Sequence, residues 1–116
     1  MRGPCDEATL ITAHNVGITL LELGKHVEAI ESLREPLSNA RSTYGDNHML
    51  TLDLRSSLAS NLAESGDLRG ALSMREDVLK RTQRLLGTAH PITKERQEQE
   101  RFLRNVARRA EATPNP

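Results

Sequence analysis

The chain has 116 residues, with 16 lysines and arginines balanced by 16 aspartates and glutamates, one cysteine, and Tyr44 and Phe102 as its only large aromatic side chains. This length makes one domain with a modest core, and the charge balance removes the field that gathers proteins onto nucleic acid or anionic membranes. A lone Cys5 excludes an internal disulfide and fits a reducing, cytoplasmic setting, while Met1 to Asp6 lacks a signal peptide's apolar run and no stretch of about 18 apolar residues offers a membrane span.

Residues 1–7 read as a flexible start. Leu10, Ala13, Val16, Leu20 and Leu23 then step by three and four, the spacing of one helix face. Gly24 follows the last of them and supplies the left-handed conformation that ends a helix. Val27, Ile30, Leu33, Leu37 and Ala40 predict a second helix. Pro36 lies inside it, where the missing amide costs on the order of 3 kcal/mol and predicts a kink near Ser32 to Pro36. Tyr44 to His48 is a polar connection, with Asp46 and Asn47 as candidate caps for the next helix.

The pattern then repeats. Leu52, Leu58, Leu62 and Ala63 form a helix stopped by Gly66; Asp67 is a candidate N-cap; and Leu68, Ala71, Leu72, Val78, Leu79 and Leu86 form its antiparallel partner. Gly70 costs about 1 kcal/mol against alanine there and suggests a close approach. Leu86 to Pro91 is the second connection, and Pro91 suits a first helical turn. Ile92, Gln99, Phe102, Leu103, Val106 and Ala110 share one side of a last, more polar helix, whose Arg101, Arg104 and Arg108 read as a solvated face. The chain thus divides into residues 1–7, a hairpin at 8–49, a hairpin at 50–90, a closing helix at 91–111 and a loose tail at 112–116.

Nine residues of the first hairpin recur 42 positions later: Thr9, Leu10, Leu20, Glu22, Gly24, Ala29, Leu37, Gly45 and His48 as Thr51, Leu52, Leu62, Glu64, Gly66, Ala71, Leu79, Gly87 and His90. A fixed interval of this size marks a stack of helical units, each unable to bury its apolar face alone. The chain opens inside a unit, which predicts a preceding hairpin in a longer parent. His48 and His90 hold equivalent positions in successive units, so a structural role is expected of them rather than metal binding. No His-Glu-x-x-His, Cys-x-x-Cys, Gly-x-Ser-x-Gly or phosphate-cradling glycine pattern is present, so no metal, cofactor, catalytic residue or small-molecule substrate is assigned. The chain reads as a non-enzyme.

Helical hairpins with small residues at Gly17 or Ala59, a turn glycine at Gly24 or Gly66 and alanine at Ala29 or Ala71 resemble the tetratricopeptide repeat. The 42-residue period, with Gly87, His90, Pro91 and Thr93, and with Gly45, His48 and Thr51 but Met49 in the proline's place, is similar to the long repeat of kinesin light chains and related scaffolds. The resemblance implies an all-α, right-handed superhelical solenoid of antiparallel helix pairs, about two and a half repeats long. It implies a scaffold or adaptor that takes a protein or peptide segment in a concave groove formed by the first helix of each hairpin. By position, Ile11, His14, Asn15 and Ile18 from the first copy and Asp53, Ser56, Ser57 and Ser60 from the second face that groove. The alternative reading is a homo-oligomer formed through exposed ends of the stack.

Overall fold

Five helices follow in chain order in this computed structural model, which describes residues 3–112: α1 (Glu7–Glu22), α2 (His26–Tyr44), α3 (Met49–Glu64), α4 (Leu68–Leu86) and α5 (Pro91–Ala112). Among the described residues there is no strand. Ala112 still belongs to α5, and residues 113–116 of the predicted tail, like Met1 and Arg2, lie outside the described residues.

The two hairpins close in the same way. Gly24 and Gly66 take φ of 74° and 103°, a region costly to any residue with a Cβ. In the first, Gly24 N–H donates to Leu21 O and Lys25 N–H to Leu20 O; in the second, Gly66 N–H donates to Ala63 O and Asp67 N–H to Leu62 O. These paired bonds satisfy the last carbonyls of α1 and α3 in a Schellman arrangement. The connections between hairpins match as closely: Gly45 and Gly87 have φ of 87° and 84°, and their N–H groups donate to Arg41 O and Gln83 O.

Helix starts differ from expectation at one point. His48, and not Asp46 or Asn47, caps α3 by accepting the Leu50 N–H on Nδ1 at 3.1 Å, and His90 Nδ1 accepts the Ile92 N–H at the same distance. Asp46 and Asn47 are engaged elsewhere, accepting from Arg41 and Arg81. Asp67 does cap α4, accepting from the Gly70 N–H at 3.0 Å. This explains Gly70: a Cβ there would sit 2.4 Å from Asp67 Oδ2, so the glycine makes room for the cap rather than for a neighbouring helix. Pro36 lies inside α2, which runs unbroken from His26 to Tyr44.

Adjacent helices pack along the chain, and the first helices of the two hairpins, α1 and α3, also pack on each other. The core is aliphatic: Leu10, Leu33, Leu37, Ala40 and Leu54 form one buried cluster, with Ala13, Tyr44, Leu50 and Leu58 against it. The α1–α3 seam is tight because Gly17 has no side chain; a Cβ there would lie 2.6 Å from Ser57 Oγ and 3.0 Å from Leu33. Asn61 locks the same seam, its amide donating to the Ser57 carbonyl at 3.0 Å and across to the Gly17 carbonyl at 3.4 Å.

Three apolar residues assigned to helix faces from their spacing are exposed instead: Val16, Leu23 at 63% and Val27 at 74%. They lie on α1, just past its end and at the start of α2, the end of the stack where no further helix packs among the described residues. Phe102 is likewise 71% exposed, and α5 buries Thr93, Arg96, Glu100, Leu103 and Ala107 in its place.

Candidate functional site

The three first helices, α1, α3 and α5, border a cleft of about 330 Å³, and every residue lining it belongs to one of them. From α1 come His14, Ile18 and Leu21; from α3, Asp53, Ser56, Ser57 and Ser60; from α5, Ile92, Glu95, Arg96 and Gln99. A second hollow of about 200 Å³ shares Leu21, Ser60 and Gln99 with the first, so the two form one furrow. It adds Ala63, Glu64, Arg75, Phe102 and Leu103.

Six of the eight residues expected to face a groove therefore meet here: His14, Ile18, Asp53, Ser56, Ser57 and Ser60. Ile11 and Asn15 do not line the furrow; both are exposed elsewhere on α1. Two features of helix geometry account for the split: Asn15 is off the shared face, and Ile11 is on it but a turn short of the furrow. His14, Ile18 and Leu21 follow one another at steps of four and three and share a face, whereas Ile11 lies a turn earlier and Asn15 to one side.

The polar groups of the cleft are unequally committed. Asp53 accepts from Arg96 Nη2 at 2.5 Å, and Ser60 Oγ accepts from Arg75 Nη2 at 2.6 Å while lying 3.2 Å from the Ser56 carbonyl. His14 Nδ1, Ser56 Oγ and Ser57 Oγ are buried atoms without a hydrogen-bond partner among the described residues. Ser57 is almost wholly buried, and its Oγ abuts Gly17, so its hydroxyl belongs to the α1–α3 seam. Buried hydroxyls and imidazole nitrogens left without partners favour any occupant that bonds them.

Spacing alone gave no sign of the two arginines that shape the furrow. Arg96 is 8% exposed and runs from α5 to two other helices, donating to Asp53 on α3 and to Thr82 Oγ1 on α4 at 2.8 Å. Arg75, from α4, donates to Ser60 Oγ on α3 and to Gln99 Oε1 on α5 at 3.0 Å. Burial, and then the nearby charge of Arg96, pulls the Arg75 guanidinium below its ordinary range. A second arginine pair ties α3 to α4: Arg55 and Arg81 both donate to Asp77, at 2.6 and 2.8 Å. Burial alone would raise the Asp77 carboxyl, but the bonds from Arg81 and Arg55 outweigh it and hold the group below the usual carboxylate range.

The tetratricopeptide repeat model matches residues 8–84, which takes in α1, α2, α3 and nearly all of α4. The chain belongs to the tetratricopeptide repeat family. Tetratricopeptide repeats are generally non-catalytic modules that mediate contacts between proteins. No curated protein matches the chain. No helix among the described residues is long and apolar enough to cross a membrane, and among them no group of three or more His, Cys, Asp or Glu side chains is arranged to hold a metal ion.

Proposed function

We infer that this tetratricopeptide repeat domain, of the long kinesin-light-chain type, binds an extended or helical segment of another protein along the furrow bordered by α1, α3 and α5, as a cytoplasmic scaffold or adaptor. The observation that carries the reading is the pair of buried, unpartnered polar atoms on His14 and Ser56 beside the apolar Ile18, Leu21 and Ile92. A peptide backbone supplies donors and acceptors for the first group, and its side chains cover the second.

The test is selection from a phage-displayed library of random decapeptides. Wild-type protein is expected to enrich a family of peptides that Ile18→Arg and Ser56→Arg, both folded by circular dichroism, no longer bind. Arg34→Glu, on the far side of α2, is expected to leave binding intact. Equal binding by the Ile18 and Ser56 variants removes the furrow from the account. Ser57 is unsuited to such a test, since its contact with Gly17 makes any bulky replacement a folding defect.

The exposed Val16, Leu23 and Val27 favour a second reading, self-association through the α1 end of the stack. Sedimentation at rising concentration separates the two: a dimer abolished by Val27→Asp supports it, and a monomer throughout opposes it.

A further inference from the structure

Leu33 and Arg75 occupy the same place in successive repeats, 42 positions apart. Leu33 is fully buried beside Gly17 and helps close the α1–α3 seam with hydrocarbon. Arg75 instead sends a cation between α3 and α5, where the furrow lies. A half-buried arginine normally meets a carboxylate, because bonds to neutral acceptors do not offset the loss of hydration. The two hydrogen bonds of Arg75 go to a hydroxyl and a carboxamide, and among the described residues it makes no ion pair.

The surroundings sharpen the mismatch. Arg96, the cation whose field acts on Arg75, is already paired with Asp53. Glu64 shares the hollow with Arg75 but stays exposed and unbonded to it, and Glu95 lines the neighbouring cleft. Phe102 stands at the same hollow with 71% of its surface in solvent, so an apolar contact lies open next to the charge.

We propose that Arg75 is an anion-recognition residue: the furrow takes a segment bearing a carboxylate for the Arg75 guanidinium, with an adjoining apolar side chain covering Phe102 and Leu21. This rests on the peptide-binding reading given above and names the chemistry of its ligand. The guanidinium has fork geometry suited to a carboxylate, and the seat is partly dry, which strengthens a charge-assisted bond. Glu64 limits affinity by repelling the incoming anion.

The decapeptide selection tests the proposal directly. Peptides enriched by wild-type protein are expected to carry Asp or Glu beside an apolar residue. The best of them is then synthesised with acetylated and amidated ends, together with a Glu→Gln analogue and a version ending in a free acid. The Glu→Gln change is expected to weaken binding at least tenfold, about 1.4 kcal/mol. That loss should vanish in Arg75→Gln and shrink in Arg75→Lys, while Glu64→Gln tightens the acidic peptide two- to threefold and Phe102→Ala weakens it severalfold. A gain from the free acid, with no effect of the side-chain change, assigns the seat to a chain terminus instead of a side chain.

Enriched peptides with no acidic residue, or the same Glu-over-Gln preference in Arg75→Gln, overturn the proposal and leave the peptide-binding reading standing. If Arg75→Gln does not fold, an unchanged preference in both Arg75→Lys and Glu64→Gln overturns it equally. Failure of the wild-type protein to enrich any peptide defeats both readings at once.

Discussion

The seam between α1 and α3 and the space between α3 and α5 are built by equivalent helices a repeat apart, yet they are unlike. In the first, Gly17 lets the helices touch, Leu33 fills the gap, and Asn61 ties α3 to the Gly17 carbonyl. In the second, alanine takes the position of Gly17 at Ala59 and arginine that of Leu33 at Arg75, and α3 and α5 are not among the closely packed pairs. The helices are instead bridged by Arg75 and Arg96. One repeat grammar therefore yields a sealed layer or an open furrow according to side-chain length and charge.

The largest effect should come from forcing the sealed seam apart. Gly17→Leu is expected to cost about 3 kcal/mol, since neither Ser57 nor Leu33 has room to yield. Urea unfolding measures this. A change on the open side, Phe102→Leu, should fall within about 0.5 kcal/mol of wild type because Phe102 stands at the furrow with most of its surface in solvent. Similar losses at both positions would erase the distinction between the seams.

Removing the bridge comes next. Asp53→Ala leaves the nearly buried Arg96 without its counter-charge and should cost about 2 to 3 kcal/mol, below the full value for a buried pair because Asp53 is partly exposed. The double variant Asp53→Ala, Arg96→Met should recover much of that loss, and a thermal melt of the three proteins reads the coupling. Where the repeats agree, effects should agree: Gly24→Ala and Gly66→Ala each place a Cβ in the left-handed region and are expected to cost about 1 to 2 kcal/mol alike.

The smallest effect is a pH dependence. The Asp77 carboxyl is held below its ordinary 3.8, so its pairing with Arg55 and Arg81 contributes stability that is complete above that value and is lost as pH falls through the lowered one. Asp77 is partly solvent-screened, and Asp77→Asn should cost about 1 kcal/mol or less at neutral pH. That difference should begin to shrink as pH falls below 3.8 and close once it has passed the lowered value, as checked by denaturation at a series of pH values.

Much of the fold was legible because the signals are local. A glycine with positive φ is required at each of Gly24, Gly45, Gly66 and Gly87 whatever the rest of the chain does, and their spacing alone gives the repeat. Burial was less legible. Val16, Leu23 and Val27 follow helical periodicity as well as the core residues do, but period says which side of a helix is apolar and not whether a neighbour covers it. The same limit split the candidate site, gathering His14 and Ile18 and leaving Ile11 and Asn15 outside. Arg75 and Arg96 were invisible for a different reason: a charged side chain enters an interior only through partners on other helices, here Ser60, Gln99, Asp53 and Thr82.

The joints at Gly45 and Gly87 share one backbone geometry, so whether a layer opens or shuts is decided without altering how the rods connect. A stack of this kind can acquire a ligand channel by exchanging a few side chains on otherwise interchangeable floors, with its architecture left untouched.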